Sequence, residues 1–175
     1  MIKTNAMRLL DKAKISYELL TYDIPKESFS GEKVSEYLGQ DPKMCYKTLA
    51  AKHDHDLFIL VIPVDQQIDL KKAAKEIGVK SLEMVHVKDL LKEVGYERGS
   101  VSPIGVKKNK GIFFDKEALN HEFIEISGGA FGTSLKVNRA IILDFLKAQV
   151  KDLCTNEIWC DSCGRWCWQK SWFRF

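Results

Sequence analysis

A lysine and a threonine stand inside a stretch that otherwise reads as buried strand, Met44-Cys45-Tyr46-Lys47-Thr48-Leu49-Ala50-Ala51. No other feature constrains the chain as much. Strand alternation puts Cys45, Lys47, Leu49 and Ala51 on one face and Met44, Tyr46, Thr48 and Ala50 on the other. A lysine taken out of water without a partner costs on the order of several kcal/mol or loses its proton. Two readings follow. Either the stem of Lys47 packs and its ammonium reaches the rim, or Lys47 is a cation lining a pocket for a phosphate, a carboxylate or a developing oxyanion.

Two glycine-bearing loops come later. In Gly99-Ser100-Val101-Ser102-Pro103-Ile104-Gly105 the glycines can take positive φ and Pro103 fixes its own. Such a loop can bring backbone N–H groups to a ligand oxygen, or it can be a plain turn. Ser127-Gly128-Gly129-Ala130-Phe131-Gly132 reads as a bulged hairpin or as a second pocket wall where larger side chains would block access. Lys107, Lys108 and Lys110, beside Lys71, Lys72 and Lys75, are a solvated face or a basic rim for a nucleic-acid backbone.

Local signals order the rest. Thr4 caps a helix over Asn5–Ala13, and Ile15–Tyr22 is a strand. Ser30 caps a helix stopped by Gly39, and Asp41-Pro42 turns the chain. Met44–Ala51 and Leu57–Val64 form a hairpin around His53-Asp54-His55-Asp56. Asp69 caps a helix to Ile77 that Gly78 ends, with Lys71, Lys72 and Lys75 on its solvent side. Val79–Met84 is a strand and Val87–Val94 a helix. Strands at Ile112–Asp115, Phe123–Ser127 and Ser134–Val137 precede a helix over Arg139–Lys147 capped by Asn138. The expected class is α+β: a curled, mixed and mainly antiparallel sheet, barrel-like, with helices outside.

At 175 residues the chain suffices for one domain with a real core. No run nears the roughly 20 apolar residues of a membrane span, and the first residues lack an apolar signal core, so a cytoplasmic setting without membrane contact is expected. A net charge of +3 permits a polyanion partner without arguing for one. Cys45 stands alone, whereas Cys154, Cys160, Cys163 and Cys167 crowd the end, against a disulfide-framed secreted domain. Residues 1–150 read as the domain, and 151–175 as a Cys- and Trp-rich extension of unknown role. Cys160-x-x-Cys163 is half of a usual zinc site, but the outer cysteines are too near in sequence to make a second knuckle; no metal or cofactor is expected. The histidines do not cluster as catalysts, and Cys45 reads as a buried structural thiol.

Tyr46-Lys47-Thr48-Leu49, Asp69-Leu70-Lys71-Lys72-Ala73-Ala74-Lys75, Gly99–Gly105 and Ser127-Gly128-Gly129 occur in this order. Together they closely resemble the YbaK family of Cys-tRNA(Pro) deacylases, relatives of the editing insertion domain of bacterial prolyl-tRNA synthetases. The resemblance covers about residues 2–150. It implies an enzyme of translation that acts in trans on mischarged tRNA, with prolyl-tRNA synthetase as a further candidate partner. It implies catalytic roles for Lys47, Thr48 and Tyr22, and substrate binding by Gly99, Ser100, Val101, Ser102, Pro103, Ser127, Gly128, Gly129 and Ser134. Two positions depart from the family: many members have paired glycines at Gly99-Ser100, and some carry an aspartate where this chain has Ser134.

The resemblance also implies substrate assistance, in which the thiol of cysteinyl-tRNA attacks its own ester and leaves as a cyclic thiolactone. Alanyl- or seryl-tRNA would need water, so lyase and hydrolase chemistry both stay open. A tRNA- or synthetase-binding module without chemistry, and a zinc-binding adaptor acting through the tail, are the rival readings.

Overall fold

The strand that carries Lys47 lies second in a five-stranded mixed sheet of the computed structural model, which describes residues 3–155 and, beyond them, the backbone of Glu157–Cys160 and Arg165–Trp168. Helix α1 (Asn5–Lys12) leads into β1 (Tyr17–Thr21), and a 3₁₀ turn at Lys26–Ser28 precedes α2 (Gly31–Tyr37). β2 (Tyr46–His53) and β3 (Asp56–Pro63) form the expected hairpin, followed by α3 (Leu70–Ile77), β4 (Glu83–Met84) and α4 (Leu90–Val94). Then come β5 (Gly111–Asp115), a 3₁₀ turn at Lys116–Asn120, β6 (Phe123–Ser127), β7 (Thr133–Asn138), α5 (Arg139–Leu146) and β8 (Gln149–Lys151). β9 (Glu157–Cys160) and β10 (Arg165–Trp168) pair antiparallel.

The caps formed as their residue types require. Thr4, Ser30, Asp69 and Asn138 each accept a backbone N–H of the first helical turn, at 3.0–3.2 Å. Gly78 ends α3 in the left-handed region.

The larger sheet runs β4-β2-β3-β5-β8, with antiparallel pairing among its first three strands and parallel pairing of β3, β5 and β8. The smaller, β1-β7-β6, is antiparallel throughout. After its exposed first residue, Asp56, β3 is apolar because both its faces are covered. Leu57, Ile59 and Val61 join Leu10, Phe114, Ile124, Leu135 and Ile142 in the main core. Phe58, Leu60 and Ile62 pack with Ala73 and Ala74 of α3 and with Leu153. Full burial of each such large side chain contributes about 1.5–3 kcal/mol.

The α+β class with mixed sheets is the observed one, but the strands do not close into a barrel. A single parallel bridge, Cys45 to Glu125, joins β2 to β6, with Glu125 donating its N–H to the Met44 carbonyl at 2.8 Å. Next to that bridge the sheets part and leave the cleft described below.

Three local expectations change. The Val79–Met84 strand shrinks to Glu83–Met84, which pairs only with Ala51 and Lys52. Lys72 does not share a free solvent face with Lys71 and Lys75: its ammonium meets the Asp152 carboxylate at 3.2 Å and the Cys154 carbonyl. The boundary expected near Val150 falls inside β8, and the packed body continues to Leu153 and Cys154, both buried. Asp115 secures this segment by accepting the Leu153 N–H at 3.0 Å. No helix among the described residues is long and apolar enough to cross a membrane.

Candidate functional site

The cleft between the sheets has a volume of about 450 Å³ and is lined by Tyr22 just after β1, by residues from β2, β6 and β7, by the start of α2 and by the Gly99 loop. It exists because β4 is short. With the pairing of β4 confined to Ala51 and Lys52, the edge of β2 beside Lys47, Thr48 and Leu49 has no neighbouring strand among the described residues. Val85 donates its N–H to the Ala50 carbonyl from this side, so strand alternation turns the N–H and C=O of Thr48 to the same open edge. The Thr48 hydroxyl is also buried without a hydrogen-bond partner among the described residues. The open edge explains how two neighbours on opposite faces of one strand, Lys47 and Thr48, both line one cavity.

Lys47 is half-buried. Its Nζ donates to the Val64 carbonyl at 3.3 Å. It forms no ion pair with a carboxylate among the described residues. Burial pulls its pKa below the ordinary lysine value, opposed by the charge of Glu32 at the start of α2. Val64 is itself positioned by donating its N–H to the Cys45 carbonyl at 2.9 Å.

Tyr22 closes one end of the cleft inside an aromatic group. Its ring lies 6.2 Å from Phe29 and 6.0 Å from Phe131, which are 5.1 Å apart, and the Lys26 ammonium stands 5.5 Å from the Phe131 centroid. Burial raises the Tyr22 pKa. Gly99 has φ +86°, and a Cβ there would lie 3.3 Å from both the Phe131 and Phe29 rings. Backbone conformation and close approach therefore both call for glycine at that position.

The structure sorts the expected site residues. Tyr22, Lys47, Thr48, Gly99, Val101, Ser127 and Ser134 line one cavity. Ser100, Ser102, Pro103, Gly128 and Gly129 do not. The Ser100 hydroxyl donates to the Glu97 carbonyl at 3.0 Å, Ser102 accepts the Ile104 N–H at 3.2 Å, and Pro103 is buried behind them. A Cβ on Gly128 would stand 2.6 Å from the Thr133 hydroxyl, and one on Gly129 would meet the ring of Tyr96. The Gly128 carbonyl accepts the Thr4 hydroxyl at 2.6 Å. These five residues shape the two loops and hold them to the body. Lys71, Lys72, Lys75, Lys107, Lys108 and Lys110 line no part of the cleft; among the described residues its cations are Lys47 and Arg98, with Lys26 above the aromatic group. No histidine lines it.

Cys45 and Glu125 enter the cavity wall although sequence reading gave them no site role. The Cys45 thiol donates to Glu125 Oε2 at 3.5 Å, and burial followed by the Glu125 charge pushes the thiol far above its ordinary pKa. A thiol so held stays protonated at neutral pH and is a poor nucleophile. Glu125 also interacts with the Ser134 side chain, so an acid stands beside Ser134 although none occupies position 134. Its signal was present: Glu125 sits between Ile124 and Ile126 as Lys47 sits among its own apolar neighbours. Of the candidate zinc cysteines, Cys154 is buried in the core; the side chains of Cys160, Cys163 and Cys167 lie outside the described residues.

Comparison with known proteins gives the same region a family context. The profile described as aminoacyl-tRNA editing domain matches residues 26–145. The EbsC protein of Enterococcus faecalis, provisionally named a Cys-tRNA(Pro)/Cys-tRNA(Cys) deacylase, is 36% identical over 156 residues, spanning 89% of this chain and 95% of its own. A proline–tRNA ligase of Thermosipho melanesiensis is 24% identical over 107 residues, 55% of this chain and 19% of the ligase. A crystal structure provisionally described as a trans-editing enzyme for prolyl tRNA synthetase superposes with a TM-score of 0.73 at 18% identity, covering 87% of this chain and 99% of its own.

Proposed function

This chain belongs to the aminoacyl-tRNA editing domain family, and we propose that it is a trans-acting deacylase that removes cysteine mischarged on tRNA(Pro), using the substrate's own thiol. The observation that carries this reading is the Lys47 ammonium, half-buried in a cleft and, among the described residues, hydrogen-bonded to a backbone carbonyl without a carboxylate ion pair. An anionic ligand supplies the charge it lacks. In the proposed complex Lys47 holds the terminal phosphate or ribose of the tRNA, and Thr48 and Tyr22 orient the terminal adenosine.

Among the described residues the cleft offers no activated nucleophile. Cys45 is held protonated and no histidine lines the wall, which supports an attacking group brought by the substrate. The cysteinyl sulfur adds to its ester carbonyl, the C–O bond to the terminal ribose breaks, and the thiol proton ends on the ribose oxygen. The product is a thiolactone and a tRNA with a free 3′ end. Well-oriented intramolecular attack has effective molarities of about 10⁵–10⁸ M, so positioning supplies most of the acceleration. The backbone N–H groups of Gly99 and Val101, the loop residues that line the cleft, and the open edge at Thr48 are the proposed donors to the oxyanion. The similarity to a proline–tRNA ligase supports tRNA(Pro) as the carrier and prolyl-tRNA synthetase as a working partner.

The test is release of labelled amino acid from mischarged tRNA. Cysteine should be released rapidly, serine far more slowly, and Lys47→Ala should release neither while remaining folded. Equal rates for cysteine and serine would reject thiol assistance and indicate hydrolysis by water. Full activity of Lys47→Ala would reject the role given to the lysine. Binding without release by the wild type would leave a tRNA-binding module.

A further inference from the structure

Among the described residues two acids line the cleft, and they differ in kind. Glu32 stands exposed at the rim, whereas Glu125 is 4% exposed. On β6 the alternation sends Ile124 and Ile126 into the main core, which turns Glu125 and Ser127 to the opposite face and toward the cleft. Ser134, directly across from Ser127 on β7, shares that face. Lys136 is the residue opposite Glu125 in register, yet no ion pair to Glu125 forms among the described residues. A carboxylate offers about four acceptor sites, and a thiol is a weak donor. With Cys45 as donor and Ser134 beside it, Glu125 has spare acceptor capacity and, among the described residues, no ion-pair partner. Burying an acid in this state is costly unless a ligand completes it.

The facing strands thus bring an ammonium and a carboxyl group into one cavity, Lys47 from β2 and Glu125 from β6; burial raises the Glu125 pKa, and a cation bound beside it would favour the carboxylate. An aminoacyl ester of a terminal nucleotide has the matching polarity: phosphate at one end and an α-ammonium beside the scissile carbonyl at the other. We propose that Glu125 receives the α-ammonium of the aminoacyl group, so that the cleft selects esters with a free amino group over N-acylated ones. This inference rests on the aminoacyl-tRNA reading above. Acylation removes the substrate's charge, adds bulk against the wall and leaves the buried carboxylate unpaired. The selection separates mischarged aminoacyl-tRNA from peptidyl- and formylaminoacyl-tRNA, which share the same ester and the same 3′ end.

The test uses two non-cleavable probes, 3′-aminoacylamido-adenosine with a free amino group and its N-acetyl form. Wild type should bind the free-amine probe about 10- to 100-fold more tightly, the factor expected for a charge-assisted hydrogen bond. Glu125→Gln keeps the shape and an acceptor for Cys45; it should lose this preference by weakening the free-amine probe alone. Equal binding of the two probes by wild type would overturn the inference with no variant needed, so a poorly folded variant cannot shield it. A preference retained in a folded Glu125→Gln protein would overturn it as well. Cleavage separates this inference from the function it rests on. Wild type that prefers the free amine but releases no amino acid rejects the deacylase and leaves amine recognition standing. Wild type that releases amino acid equally well from free and N-acetylated aminoacyl-tRNA rejects amine recognition alone.

Discussion

Gly31 lies so close to Val64 that a Cβ on it would stand 2.5 Å from Val64 Cγ1 and 2.9 Å from Val64 Cβ. Val64 is also the residue whose carbonyl holds the Lys47 ammonium. The first residue of α2 and the position of the site lysine are therefore one packing problem. Gly31→Ala must push either α2 or the end of β3, at a cost of about 1–3 kcal/mol for overpacking. Val64→Ala in the same chain removes the atom closest to the clash. Urea denaturation of the two single variants and the double should show a favourable coupling of about 1 kcal/mol or more. Strictly additive costs would mean that the two residues are not in contact.

Lys47 contributes unfavourably to stability at neutral pH, and this can be measured apart from activity. Its pKa in the fold lies below the ordinary value of 10.5, chiefly through burial. Between the folded value and 10.5 the unfolded chain binds more protons than the native one, so native stability rises with pH across that window. Below the folded pKa the full penalty is present. Lys47→Met should therefore be at least as stable as wild type at pH 7, and its advantage should shrink as the pH approaches 10.5. A variant clearly less stable than wild type at pH 7 would show that the ammonium is satisfied in the native state, against its proposed role as a cation awaiting an anion.

The local parts of this architecture were legible in the sequence; the meeting of distant parts was not. Thr4, Ser30, Asp69 and Asn138 could be read as caps because a cap is decided by a few neighbouring residues. Lys47 could be read as unusual because alternation exposes a charge among apolar residues. The same pattern at Glu125 passed unused, because nothing local says that β6 meets β2 at Cys45. The Gly99 loop was identified as a wall, but which of its residues face the cavity depends on Phe29 and Phe131, which pack against Gly99 from elsewhere in the chain. The three residues of β8 are too few for a period to register, so the body looked finished at Val150. Closure of the sheet into a barrel was expected from strand count. The shortness of β4 and the single β2–β6 bridge, which leave the cleft open, are properties of pairing.

Thr4 does two jobs with one hydroxyl. It accepts the Met7 N–H at 3.2 Å as the cap of α1 and donates to the Gly128 carbonyl at 2.6 Å, fastening the helix to the β6–β7 turn. Thr4→Ala loses both and should cost about 1–2 kcal/mol. Thr4→Ser keeps the hydroxyl and should recover most of that. Thermal melts of the three proteins check this; equal melting temperatures for Thr4→Ala and wild type would remove the turn contact from consideration.

Asp115 ties the segment after β8 to the packed body. Its carboxylate, 1% exposed, accepts the Glu117 N–H with one oxygen and the Leu153 N–H with the other, each at 3.0 Å. Leu153 is fully buried against the sheet, and Asp69 donates its N–H to the Leu153 carbonyl at 2.9 Å. A chain ending at Val150 thus loses a core leucine and leaves a buried carboxylate oxygen without its donor. Removing a buried leucine side chain typically costs about 2–5 kcal/mol, and the orphaned oxygen adds to that. The comparison that isolates the effect is a chain ending at Val150 against one ending at Thr155, followed by urea denaturation. The shorter chain should unfold at clearly lower denaturant, and Leu153→Ala in the longer chain should reproduce most of the loss. Equal midpoints for the two truncations would return the boundary to Val150 and leave Asp115 as a cap for the Lys116–Asn120 turn alone.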